Sequence, residues 1–191
     1  MRHRKPFASK KIEQEGFSLI EVMISMVIIT IGLVSLLGVM GIAMAATQTS
    51  ETVAISKQLA NEALESILTA RESSNLTWAQ IQSKGGGGVF VNGMNPIYNV
   101  GADGIIDTDD DAGSGIQTLQ LPGPDGIYNT ADDQFMPLSN FQRQIDIVNA
   151  TDVNGNQMQD LRQVTITVQY QAPQLKVPQT YVLTTFISPY R

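Results

Sequence analysis

The apolar positions of this chain fall into three patterns, and each predicts a different element. From Val22 to Ser50 there is no charged residue, a run of 29 positions, which exceeds the roughly 20 apolar residues needed to cross a bilayer as a helix. The run is too long for the apolar core of a secretory signal, about 7 to 15 residues. The small residues Ala43, Ala45 and Ala46 could mark a signal-peptidase site, but the helical periodicity continues past them. After Ser50 the pattern turns amphipathic. Leu59, Ala63, Leu64, Ile67 and Leu68 recur at spacings of three and four, with Lys57, Glu62, Glu65 and Glu72 among them, as on a helix with one buried face. No proline interrupts Phe17 to Arg71, so one helix of roughly 80 Å is expected at about 1.5 Å per residue. Gly32, Gly38 and Gly41 each weaken that helix by up to about 1 kcal/mol relative to alanine. They are either bend points or, the reading preferred here, sites of close packing between helices.

The third pattern has period two. Val164, Ile166, Val168 and Tyr170 alternate with Thr165, Thr167 and Gln169, the signature of a half-buried strand. Phe141 to Val148 and Tyr181 to Ile187 have similar composition, so an antiparallel meander of at least three strands is expected on the helix. Pro173 and Pro178 bracket the last connection and Pro189 stops the final strand. The fold class is therefore α+β: a long N-terminal helix, transmembrane in its first half, packed on a small antiparallel head. The expected organisation is a leader at 1–16, a transmembrane and assembly helix at 17–46, its amphipathic continuation at 47–72, a Gly/Asp-rich loop region at 73–140, and the β-meander at 141–191. The run Gly85 to Gly88 reads as a flexible linker.

Charge sharpens the topology. Of 12 basic residues, Arg2, Arg4, Lys5, Lys10 and Lys11 precede Gly16, against only Glu13 and Glu15 among 18 acidic ones. A basic flank before an apolar span and an acidic chain after it predict an inner-membrane precursor with its N-terminus in the cytoplasm and its C-terminus translocated. The net charge of −6 gives nucleic acid no electrostatic support. The absence of cysteine excludes disulfides, Cys-type zinc sites and thiol catalysis.

Glu21 breaks the apolar character near the start of the span. A lone carboxylate there costs a few kcal/mol and calls for a cation, yet the next basic residue is Lys57. Cutting the chain after Gly16 would create one, the α-amino group of Phe17. Alternatively, Glu21 snorkels to the headgroups beside Lys10 and Lys11. The segment Gly16-Phe17-Ser18-Leu19-Ile20-Glu21-Val22 after a short basic leader resembles the prepilin cleavage and methylation motif of type IV pilins and type II secretion pseudopilins. The resemblance implies cleavage between Gly16 and Phe17 by a prepilin peptidase, N-methylation of Phe17, and a role for Glu21 in subunit assembly. It further implies partnership with other pilin subunits through the N-terminal helix and with an inner-membrane assembly platform. The continuation Ile31-Gly32-Leu33 resembles minor pilins of the V type and pseudopilins of the I type more than major pilins.

An acidic repeat precedes the meander. Residues 101–111 and 123–133 match at seven of 11 positions, with Asp103, Asp107, Asp109 and Asp111 in the first copy and Asp125, Asn129, Asp132 and Asp133 in the second. Spaced oxygen donors with turn-forming glycines suit Ca²⁺, but Asp-Gly and Asn-Gly pairs also simply make turns. Both readings stand for the pair; for Asp152, Asn154, Asn156 and Asp160 the turn is preferred, since they fall between two strands. None completes an EF-hand: Ala112 and Gln157 occupy positions where glycine is expected, and no glutamate closes a loop. No cofactor other than calcium is suggested. The single histidine, His3, lies in the leader, and no apolar pocket is evident to tune a carboxylate, so no enzyme is expected. The rivals are a filament subunit, as minor pilin or as pseudopilin, and a membrane-anchored calcium-dependent binding module.

Overall fold

The computed structural model describes residues 16–171 and 177–190. Residues 1–15 of the expected leader and Pro173 lie outside them. The chain divides into two compact units, Met1–Ala45 and Ala46–Arg191. One element runs through both, the helix α1, Leu19–Glu72, unbroken at Gly32, Gly38 and Gly41 as the proline-free pattern predicts.

In the second unit, α1 buries Ile55, Leu59, Ala60, Ala63, Ile67 and Ala70, the expected apolar stripe, against an antiparallel sheet. Three long strands follow one another as a meander: β4, Phe141–Thr151; β5, Gln157–Tyr170; and β6, Gln179–Ile187. A two-residue strand β1, Asn95–Pro96, pairs with β4, giving the order β1-β4-β5-β6. A separate hairpin joins β2, Thr118–Leu121, to β3, Gln134–Pro137. The alternation seen in the sequence decides the faces. Ile145 and Ile147 of β4 and Val164, Ile166 and Val168 of β5 are buried in the same core as the α1 stripe, whereas Thr165 and Thr167 point the other way. The fold is α+β, an apolar N-terminal helix packed on an antiparallel sheet.

Between β1, β2 and β3 the stretch 73–140 is mostly irregular, but it is not peripheral. It contributes Leu76, Ile81, Phe90, Ile97, Ile105, Ile106 and Leu138 to the core. The four glycines, expected as a flexible linker, are instead a folded turn. Lys84–Gly86 form a single 3₁₀ turn capped by Gly87 at φ 92°, and the Gly88 N–H donates to the Ser83 carbonyl at 3.2 Å. A Cβ at Gly88 would collide with the Gln82 carbonyl; glycine is required there by close backbone approach, not by mobility.

One inward position of β4 is not apolar. Arg143, between Phe141 and Ile145 on the core side, is 1% exposed. Its Nε donates to Asp107 Oδ2 at 2.7 Å, Nη2 to Asp107 Oδ1 at 3.3 Å, and Nη1 to the Leu59 carbonyl of α1 at 3.1 Å. A fork-to-fork pair of this kind satisfies both carboxylate oxygens. Leaving one partner buried without the other costs about 3–5 kcal/mol. Arg143→Met and Asp107→Leu should each destabilise the head by that order, and the double variant should recover much of the loss. Denaturant unfolding of the three variants checks this; equal additivity of the two losses would contradict the pairing.

Candidate processing and assembly segment, and the acidic repeats

Gly16, Phe17 and Ser18 precede the helix in extended or irregular backbone. Ser18 starts α1: its carbonyl accepts the N–H of Glu21 at 3.0 Å and of Val22 at 3.2 Å. Glu21 thus stands in the first turn, where free N–H groups and the helix dipole favour an anion. Among the described residues no lysine or arginine pairs with it; the ion pairs there are Arg71–Glu72, Lys84–Asp109 and Arg143–Asp107.

Among its described residues the first unit has no buried core. The large apolar side chains from Phe17 to Met44 are exposed, Phe17 at 81% and Ile42 at 73%. Three hydroxyls in the segment are satisfied by the helix itself: those of Ser25, Thr30 and Ser35 donate to the carbonyls four residues back at 2.8, 2.7 and 2.8 Å. Such back-bonding lets a hydroxyl sit in lipid or against another helix without an orphan donor. The helix is long and apolar enough to cross a membrane. Around Gly32, Gly38 and Gly41 nothing in the chain approaches where a Cβ would stand.

The two acidic repeats fold alike. In the first, Gly104 at φ 73° and Asp107 at φ 57° turn the chain, the Ile105 N–H donates to Asp103 Oδ1 at 2.8 Å, and the Thr108 hydroxyl sits 2.6 Å from Asp110 Oδ1. In the second, Gly126 and Asn129 take φ 69° and 66°, the Ile127 N–H donates to Asp125 Oδ1 at 2.8 Å, and the Thr130 hydroxyl sits 2.7 Å from Asp132 Oδ1. A Cβ at Gly101 would strike the Asp110 carboxylate, and one at Gly123 that of Asp132.

The carboxylates are therefore spent on loop closure. Asp111 accepts from the Gly101 N–H at 2.6 Å and the Thr108 N–H at 3.3 Å, and Asp133 from the Asn129 N–H at 2.6 Å. Asp103 joins them around Thr108, but Asp107 leaves for Arg143 and Asp109 for Lys84 at 2.7 Å. Asp110, not Asp109, is the loop carboxylate of the first copy; its alignment with Asp132 was the signal available in the sequence. Among the described residues no group of three or more Asp, Glu, His or Cys is arranged to hold a metal ion. Asp152, Asn154 and Asn156 form the β4–β5 hairpin turn, with Asp152 Oδ1 accepting from both asparagine N–H groups at 2.8 Å. Asp160 lies exposed on β5.

Their acidity follows from these bonds. Asp110 and Asp132 are held below the usual 3.8, chiefly by the hydroxyls of Thr108 and Thr130. For Asp133, desolvation pushes upward, but bonds from Gln120, the Asn129 N–H, Thr130 and the Gly123 N–H outweigh it. Asp111 is raised, by burial. A carboxyl held low contributes stability that is complete above 3.8 and disappears as pH falls through its depressed value; one held high does the opposite. Both shifted groups of the second loop thus lose stability on acidification below 3.8, whereas in the first loop Asp111 opposes Asp110. In an acid titration the Asn129 amide should lose exchange protection before that of Gly101. Simultaneous loss, or loss at Gly101 first, would refute the assignment of the carboxylates to loop closure.

Comparison with known proteins bears on the N-terminal segment. A family model described as the prokaryotic N-terminal methylation motif matches residues 13–37. No curated protein matches, and no solved structure matches. The matched stretch contains Gly16, Phe17 and Glu21 and ends within the bare apolar half of α1. The apolar helix that carries the motif fits a membrane-anchored precursor. The chain carries the prokaryotic N-terminal methylation motif, the signature of type IV pilins and pseudopilins.

Proposed function

We propose that the chain is a type IV pilin-like minor subunit, cut between Gly16 and Phe17 by a prepilin peptidase, N-methylated on Phe17, and carried into a filament or its priming complex. The observation that supports this most is the first half of α1. It follows the methylation motif directly and exposes its apolar side chains all around, so it is built for lipid first and for other helices afterwards. Gly32, Gly38 and Gly41 give those helices room to approach. Cleavage supplies the cation that Glu21 lacks among the described residues: the new Phe17 amine, offered to the same chain or to a neighbour's Glu21. It also removes five basic residues, which would otherwise hold the N-terminus at the cytoplasmic face.

Within this reading the precursor waits in the inner membrane, N-terminus in, head out, until the assembly platform extracts it into a periplasmic or surface filament. Ile31-Gly32-Leu33 and the absence of a cysteine pair favour a minor pilin or a type II secretion pseudopilin over a major pilin, and of the two the minor pilin is the reading proposed here. The calcium-binding module has no geometric support in the repeats.

Mass spectrometry of the mature protein should find N-methylated Phe17 as its first residue; an intact Met1 would sink the proposal. Glu21→Ala should still be cleaved but should enter filaments at least about tenfold less, the equivalent of roughly 1.4 kcal/mol per tenfold. Incorporation at the wild-type level would remove the charge-pairing role from Glu21.

A further inference from the structure

The duplicated loop is docked once and undocked once. In the first copy Ile105 and Ile106, both 4% exposed, lie on the head-proximal half of α1 beside Ser66 and Ala70. The Ile106 N–H donates to Ser66 Oγ at 3.3 Å. The second copy repeats the two positive-φ positions and the carboxylate–threonine closure of the first, without its 3₁₀ turn at Asp109–Gly113. It sits between β2 and β3, and its corresponding pair, Ile127 and Tyr128, is 60% and 58% exposed. No acceptor stands at the Tyr128 N–H among the described residues. A loop held rigid by its own side chains thus presents an apolar pair and a free donor to solvent. An exposed apolar pair on a preorganised loop is the form of an anchor, since little ordering entropy remains to be lost on binding.

From this we infer that the second repeat is an intersubunit knob whose partner is the head-proximal half of the N-terminal helix of an adjacent pilin-type subunit. The first copy defines the chemistry of the seat: a helix face with a small hydroxyl residue, to accept the Tyr128 N–H, and alanine one turn on, to admit Ile127. Two acidic positions of the first copy, Asp107 and Asp109, are neutral in the second, as Asn129 and Ala131, and this fits. Asp107 needs a buried arginine, whereas Asn129 at the same place binds Gln120 Nε2 at 3.3 Å within its own arm and brings no net charge into the contact. The inference rests on the filament reading, which makes neighbouring helices available.

The test replaces Tyr128 with the photo-reactive p-benzoylphenylalanine in the full chain, expressed in cells that assemble it, with the same substitution at Val153, 101% exposed on the β4–β5 turn, as control. Irradiation should yield an adduct at 128 and not at 153, and its cross-linked peptide should come from the second half of a pilin-type N-terminal helix, of this chain or another. An adduct to a head loop, to a protein without the methylation motif, or no adduct at 128 would overturn the inference. The mature N-terminus read from the same sample separates the two failures: a processed, incorporated subunit with no adduct sinks only the knob. The double variant Ile127→Ser, Tyr128→Ser should keep the wild-type melting temperature yet lower partner co-purification about tenfold. A shared melting loss would mean that the pair is a folding element instead.

Discussion

The head depends on one buried ion pair. Arg143 and Asp107 are both almost fully buried, and between them they join the three parts of the second unit: the sheet through β4, the helix through the Leu59 carbonyl, and the first acidic repeat through Asp107. A buried guanidinium tolerates few alternatives, because every N–H left unpaired costs free energy. It therefore fixes the register of β4, where a slip by one residue would turn Arg143 to the solvent and Gln142 to the core. It also explains a backbone oddity: Asp107 holds φ 57°, a conformation few residues accept but aspartate tolerates, and this aims its carboxylate at the arginine.

A second arginine repeats the theme. Arg162 of β5 donates to the carbonyls of Trp78 and Ile81, lies 4.4 Å from the Trp78 ring centre, and so binds the turn after α1 to the sheet. Trp78 in turn donates to the Gln159 carbonyl at 2.8 Å. Loops that lack regular hydrogen bonds are thus held by long cationic side chains whose stems pack with the core. The acidic repeats use the opposite sign for the same purpose, Asp103, Asp110, Asp111, Asp125 and Asp133 accepting from backbone N–H groups that no helix or strand satisfies.

The two units obey different rules. The second is organised by burial, with an apolar core, paired charges and closed loops. Among the described residues of the first, exposure is the rule and the hydroxyls of Ser25, Thr30 and Ser35 are bonded within the helix, as suits a helix surrounded by lipid or by other helices. One sequence carries both because the apolar pattern changes character near Ser50, from apolar on all sides to apolar on one face.

Those patterns were legible without coordinates because they are local. An uncharged run of 29 residues, a 3.6-residue stripe on the helix, a period-two alternation on β5 and the Gly16–Glu21 motif each specify their element whatever surrounds them. The hairpin turn at Asp152 and the equivalence of the two repeats were equally readable. Arg143 was visible only as a charge in the inward phase of a strand; nothing adjacent in the chain named Asp107, 36 residues away, as its partner. Gly88 read as flexibility because a close approach by the Gln82 carbonyl leaves no trace in composition. The division of labour between the repeats was likewise out of reach: two loops of one sequence pattern differ because one lies against α1 and the other is carried on a hairpin. The sequence by itself determined the long helix, the three strands of the meander, the Asp152 turn and the N-terminal motif, since these follow from periodicity and short-range chemistry, whereas the short β2–β3 hairpin inside 73–140 was not legible in it. Only the tertiary structure decided which charges are buried together and which apolar pair is left uncovered, since those depend on contacts between residues far apart in the chain.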